Sequence, residues 1–244
     1  MTPGAFAVVA TTREVLDAPG LGPRLLAPWE RRRLAAIRVP SRRDDVLAAR
    51  LLLRLCAARL TGRSPEAAGI AQRCPDCGRD GHGRPYLPAH PGLGVSLSHA
   101  DGLVAAAAGP GPVGVDVEPA ARRPGPLPVL RRVLPGADLH EALAHPDPGP
   151  ALLRAWVRAE ARFKAGPPPP EARFKAGPPP PEAVHHLAEW TDHLRAAVTA
   201  AVAAGAPPAL LPPSAVLGGP APPPRRDRPG PPVRPRRTAP GARP

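Results

Sequence analysis

The chain has 244 residues, enough for one large domain or two small halves. Hydrophobic residues make up 43% of it but aromatics only 3%, so the core must be built from Ala, Leu and Val, and stacking platforms for bases are almost absent. The net charge of +13 suits an anionic ligand or an acidic partner, while three cysteines, an odd number, argue against a disulfide framework. No segment approaches the roughly 20 apolar residues a bilayer span requires. The N-terminus carries no basic region followed by an apolar stretch and a cleavage site, so a cytoplasmic protein is expected.

In chain order, residues 5–10 read as a first strand, and Trp29 to Arg38 as a charge-dense helix. Ser41 stands where an N-cap would, Asp44 lies three residues on, and Val46, Leu47, Leu51, Leu55 and Leu60 form the apolar face of a second helix, which Gly62 stops. A loop rich in Cys, Gly and Arg runs from Arg73 to Pro88. Val95 to His99 alternates as a strand, Asp101-Gly102 is a hairpin turn, and Leu103 to Ala108 returns. A further strand follows at 113–118, then helices around 129–134 and around Trp156. The stretch 182–204 fits either a helix or a turn and strand.

Two short segments carry the chemistry. In Val113 to Glu118, the three valines alternate onto one strand face, which leaves Gly114, Asp116 and Glu118 together on the other. On the Trp156 helix, Trp156, Glu160 and Lys164 recur at i, i+4 and i+8 and share one side. Carboxylates from a strand and a helix, beside a cation, suit a hard divalent ion such as Mg²⁺, which takes a few carboxylates and completes its shell with phosphate and water. Of 33 basic residues only Lys164 and Lys175 are lysines. Lys175 lies in a tandem copy, since Glu160 to Pro170 repeats at Glu171 to Pro181. Four prolines end the helix near Gly166, and Glu171 and Lys175 read as passengers.

Composition divides the chain into two comparable α+β stretches, 1–109 and 110–215, and a tail at 216–244. The tail holds seven arginines, one aspartate and a high proportion of proline, and reads as a disordered basic extension.

The pairing of Gly114-Val-Asp-Val-Glu118 with the Trp156-x-Arg-x-Glu-Ala-x-x-Lys164 segment resembles the signature of 4′-phosphopantetheinyl transferases of the Sfp type, the pseudo-dimeric class. Gly83-Arg84-Pro85 and Ser96-Leu97-Ser98-His99 resemble two further motifs of that family, in the same order, so that the resemblance covers about residues 29–200. It implies two similar α+β halves related by a pseudo-twofold axis, with coenzyme A in the cleft between them. It implies transfer of the phosphopantetheine arm from coenzyme A to a serine of an apo acyl or peptidyl carrier protein, an acidic partner. By the same resemblance Asp116, Glu118 and Glu160 hold Mg²⁺, Glu160 and Lys164 are catalytic, and Arg84, Ser98 and His99 contact the nucleotide and its 3′-phosphate. Ala159 departs from the family, which often carries Lys or Arg there. The family's N-terminal basic contacts have no single match among Arg31, Arg32, Arg33, Arg42 and Arg43.

Other readings compete. Cys74-Pro75-Asp76-Cys77 with His82 looks like half a zinc site, but a structural zinc wants four ligands and Cys56 sits inside a helix, so a plain loop is the simpler expectation. A nucleic-acid-binding protein with a zinc-knuckle-like loop and an Arg-rich tail is one alternative function. A decayed transferase that binds coenzyme A with poor turnover is the other.

Overall fold

The computed structural model describes residues 4–74, 77–166 and 185–218. The second repeat copy, with Glu171 and Lys175, and the tail beyond 218 lie outside these residues. Two sheets organise the rest. The larger comprises β1 (Phe6–Thr11), β2 (Ala71–Arg73), β3 (Asp80–Tyr86), β4 (Leu93–Ala100), β5 (Leu103–Pro110) and β9 (Ala209–Leu211), in the order β2-β3-β4-β5-β1-β9. The smaller comprises β6 (Val113–Pro119), β7 (His185–Asp192) and β8 (Ala197–Ala204), in the order β6-β8-β7. Neighbours are antiparallel except β1 and β9.

The β4–β5 hairpin forms where expected. Ala100 pairs with Leu103, and Asp101 and Gly102 adopt φ of 43° and 85°, the left-handed pair that matches the twist of the strands. Among the described residues, seven helices join the sheets: α1 (Thr12–Leu16), α2 (Pro28–Ala35), α3 (Pro40–Thr61), α4 (Leu127–Val133), α5 (Gly136–Ala144), α6 (Pro148–Ala165) and α7 (Ser214–Leu217). Helix α3 begins one residue before the expected cap. Val39 occupies the N-cap without a side-chain bond, and Pro40 fills the first turn, where its missing N–H costs nothing.

Apolar alternation sorts these elements into layers. Val8, Ala10, Val104 and Ala106 face α3 and its buried Leu51, Leu52 and Leu55. Ala7, Val9, Ala105 and Ala107 face the other way, onto Val113, Val115 and Val117, so the two sheets stack directly. The far side of the small sheet, Ala200 and Val202, packs on Leu153, Val157 and Ala161 of α6. The order is therefore helix, sheet, sheet, helix, an α+β architecture. Alanines on both sheet faces let the backbones approach closely, which is how so few aromatics suffice.

Two expectations change and one open reading is decided. The presumed loop at 73–88 contains β3, a strand of Gly, His, Arg and Pro without apolar alternation, which lies between β2 and β4 and pairs with β2 across a register shift. The ambiguous 182–204 segment is an antiparallel hairpin, because Ala197 to Ala203 is enclosed between α6 and the larger sheet and burial outweighs the helix preference of alanine. The chain then returns to its beginning: β9 extends the first sheet beside β1, and α7 seats Val216, which is 5% exposed, in the same core as α3. Helix α7 crosses the 215/216 boundary that composition suggested.

A buried ion cluster, not foreseen from the sequence, ties α2 to α3. Glu30 is fully enclosed; Arg50 donates to its Oε1 at 2.7 Å, and Arg54 holds both oxygens. A second ion pair spans the sheets, with Arg195 from the β7–β8 turn donating to both oxygens of Glu14 in α1.

Gly114 sets the spacing of α6. A Cβ there would lie 2.0 Å from the Ala161 carbonyl oxygen and 2.5 Å from the Ala165 nitrogen, so the helix must move if one is added. Gly114→Ala is expected to cost about 1–3 kcal/mol in denaturant unfolding. Because the displaced helix carries Glu160 and Lys164, any activity at that end should fall with it.

Candidate active site

Strand β6 and helix α6 bring their polar residues face to face. Asp116 (4% exposed) and Glu118 (6% exposed) point from the strand towards the helix, on the side opposite the valines. Lys164 donates to Asp116 Oδ1 at 2.6 Å and to Ser98 Oγ at 2.9 Å, and Ser98 donates to the same carboxylate oxygen at 2.7 Å. Three residues from three distant points of the sequence thus close a triangle. Two residues upstream, Ser96 Oγ accepts the Val115 N–H at 3.2 Å, so both serines of the β4 motif latch the larger sheet to β6.

The other oxygen, Asp116 Oδ2, is buried and finds no hydrogen-bond partner among the described residues. A buried carboxylate oxygen without a donor is costly. Glu118 and Glu160 stand close enough to feel its charge. Both carboxyls are pushed above the ordinary glutamate value, by burial first and by Asp116 second; Arg122 partly offsets this for Glu118 and Lys164 for Glu160. The three acids do not gather into a closed set, since their oxygens do not all lie within 4.8 Å of one another. Glu118 is drawn to Arg122 at 2.6 Å while Asp116 is drawn to Lys164. An orphaned oxygen beside two carboxyls raised by burial and by the Asp116 charge fits a hard divalent cation, which would offset that repulsion.

This electrostatic state predicts a pH signature. The folded protein holds protons on Glu118 and Glu160 longer than the unfolded chain does, so these groups subtract stability as pH rises from 4.5 through their raised values. Mg²⁺ should therefore raise the melting temperature more above neutrality than in mild acid. Equal shifts at both pH values, measured by thermal scans, would contradict the reading.

The remaining candidates divide between two places. Arg84 leaves β3 to donate to the Phe163 carbonyl at 2.5 Å, and its guanidinium lies 5.4 Å over the Phe163 ring, fastening β3 to the C-terminal end of α6. His99, next to Ser98 but on the opposite face of β4, looks into a pocket of about 450 Å³ lined by Arg33, Arg38, Arg42 and Arg50. Burial holds its imidazole below the usual value, with Asp45 pulling it back up, so it is neutral at pH 7 before any anion arrives. His99 also borders a larger groove of about 970 Å³ that reaches Asp101 and Arg122, and so the Glu118 side of the acidic site. Arg33, Arg38 and Arg42 could not be told from their many arginine neighbours in the sequence; their position around His99 distinguishes them. Ala159, where a cation was expected, packs with Trp156 against the core formed by α4 and α5.

The chain is similar to a 4′-phosphopantetheinyl transferase of Bacillus subtilis. The two are 31% identical over 98 residues, which is 40% of this chain and 40% of the relative. No family model matches the chain. No helix among the described residues is long and apolar enough to cross a membrane.

Proposed function

We propose that the protein is an Sfp-type transferase that moves the 4′-phosphopantetheine arm of coenzyme A onto a serine of an apo carrier protein. The observation that carries this reading is the Ser98–Asp116–Lys164 triangle with its orphaned Asp116 oxygen, flanked by two carboxyls of raised affinity for protons. The partial similarity to a 4′-phosphopantetheinyl transferase supports it independently. The layer order, with α3 and α6 on opposite outer faces of two stacked sheets, supports a pseudo-twofold arrangement of halves.

The proposed chemistry follows from where the charges lie. The arginine pocket around His99 receives the nucleotide's 3′-phosphate, for which planar guanidinium forks are well shaped. The groove from His99 runs to Arg122, the partner of Glu118, and gives the pyrophosphate a path towards the acidic site. Asp116, Glu118 and Glu160 would hold Mg²⁺, which when bound neutralises pyrophosphate charge that otherwise repels a nucleophile. The carrier serine Oγ attacks the phosphorus on the pantetheine side, a new P–O bond forms, and the bond to the bridging oxygen breaks. Adenosine 3′,5′-bisphosphate leaves. Glu160 takes the proton the serine loses, and Lys164 offers its ammonium to the transferred phosphoryl oxygens. Exposed Leu127, Val129 and Val133 on α4 offer apolar area to the carrier protein.

Intact-mass spectrometry of an apo carrier protein incubated with coenzyme A, Mg²⁺ and this protein tests the proposal. One phosphopantetheine arm should be added, and Glu160→Ala should abolish the gain while Glu171→Ala keeps it. No mass gain with carriers from fatty-acid, polyketide and nonribosomal-peptide systems would refute it.

A further inference from the structure

A second cluster of ligand-type side chains lies on the β2–β3 connection, away from the acidic site. The Sγ atoms of Cys74 and Cys77 and a ring nitrogen of His82 all lie within 4.8 Å of one another. Cys77 Sγ is 3.2 Å from His82 Nε2. A tetrahedral zinc with Zn–S of ~2.3 Å and Zn–N of ~2.0 Å puts its ligand atoms about 3.5 Å apart, so the three atoms need only small rotations to meet one ion.

The backbone is built for this. The Cys74 carbonyl accepts the Gly78 N–H at 3.0 Å, and the Cys74 N–H donates to the Arg79 carbonyl at 3.0 Å. Gly78 takes φ of +66°, and Arg73 Nε donates to its carbonyl at 2.9 Å. These bonds bring two sulfurs three positions apart in sequence to one point, as in a zinc knuckle. The donors are two thiols and an imidazole, the soft and borderline set that selects zinc over the oxygen-seeking ions suited to Asp116 and Glu118. Neither cysteine forms a disulfide, and the third, Cys56, is buried in α3. Three donors from the described residues leave the fourth corner to solvent.

The position gives the ion a structural task. Strand β3 has little apolar side chain to bury, its register against β2 shifts, and it meets β4 at the single pair Tyr86–Gly94. A strand so thinly held benefits from a crosslink. His82 stands two residues before Arg84, whose guanidinium grips the end of α6 beside Lys164. We propose that Cys74, Cys77 and His82 bind a zinc ion that fastens the β2–β3 turn and thereby holds Arg84 against the end of α6.

The test uses the full chain and does not depend on transferase activity. Protein purified without chelators is analysed for metal, and the metal-free chain is titrated with Co²⁺. The expected result is about one zinc per chain, with Co²⁺ giving a thiolate-to-metal charge-transfer band and tetrahedral visible bands. Cys77→Ser should reduce zinc content more than about tenfold while the circular dichroism stays native. Should that variant fail to fold, the Co²⁺ spectrum of the unsubstituted chain decides alone. A pale octahedral Co²⁺ spectrum, absence of zinc, or a Cys74–Cys77 disulfide forming in air with equimolar zinc present would each overturn the proposal.

Discussion

Asp116→Asn is expected to lower phosphopantetheine transfer by about 10²–10³-fold while leaving the melting temperature of the metal-free protein unchanged or higher. The substitution keeps the shape of the side chain and its place between Ser98 and Lys164. It removes the Asp116 charge, the second cause of the raised Glu118 and Glu160 carboxyls after burial, so both should fall part of the way towards the ordinary glutamate value. Two effects then separate. Relief of repulsion among crowded acids favours the folded state. Loss of one anionic oxygen, and of the orphaned position at Oδ2, weakens the seat for a divalent cation. A residue kept for packing alone would show the reverse pattern, with stability lost and transfer retained. Steady-state transfer assays with thermal scans on the same preparation distinguish the two.

The largest effect on stability is expected at Glu30, far from that chemistry. Glu30→Ala leaves Arg50 and Arg54 as two buried guanidinium groups facing each other with no anion between them. Breaking a buried ion cluster by removing its single acid costs about 3–5 kcal/mol. For a chain of this size that lowers the melting temperature by on the order of 10 °C. The loss should be smaller for Glu30→Gln, which keeps acceptor and donor atoms in place. Since Arg50 also lines the pocket beside His99, and stacks over Trp29 at 5.1 Å, its release should weaken binding of an anion there as well. Chemical denaturation compared across the two variants measures the difference directly.

Much of this site was legible because it lies on regular elements with strict periods. Alternation along Val113 to Glu118 separates valines from acids on any strand, and the three-to-four spacing from Trp156 to Lys164 does the same on any helix. The Asp101-Gly102 turn was legible for a similar reason, since few other dipeptides accept its dihedral angles. What the sequence concealed depends on contacts that have no period. Strand β3 is held by backbone pairing with β2 and β4, and its side chains carry no apolar rhythm. The Ala197 to Ala203 strand is shaped by enclosure on both faces and reads locally as helix. Glu30 looked like one charge among many on α2, and only the fold shows that two arginines from α3 surround it. Ser98 and His99 are neighbours in sequence, yet alternation sends one to Asp116 and the other to the arginine pocket. The pairing of Arg84 with Phe163 joins residues 79 positions apart and has no local signal.

In the proposed function Asp116, Glu118 and Glu160 cooperate around one hard cation. Electron paramagnetic resonance of Mn²⁺, titrated into the protein in the presence of coenzyme A, tests it most directly. About one tightly held Mn²⁺ per chain is expected, lost in both Asp116→Asn and Glu160→Gln while coenzyme A still binds. Free Mn²⁺ signal throughout the titration, or tight binding that both variants retain, would contradict it.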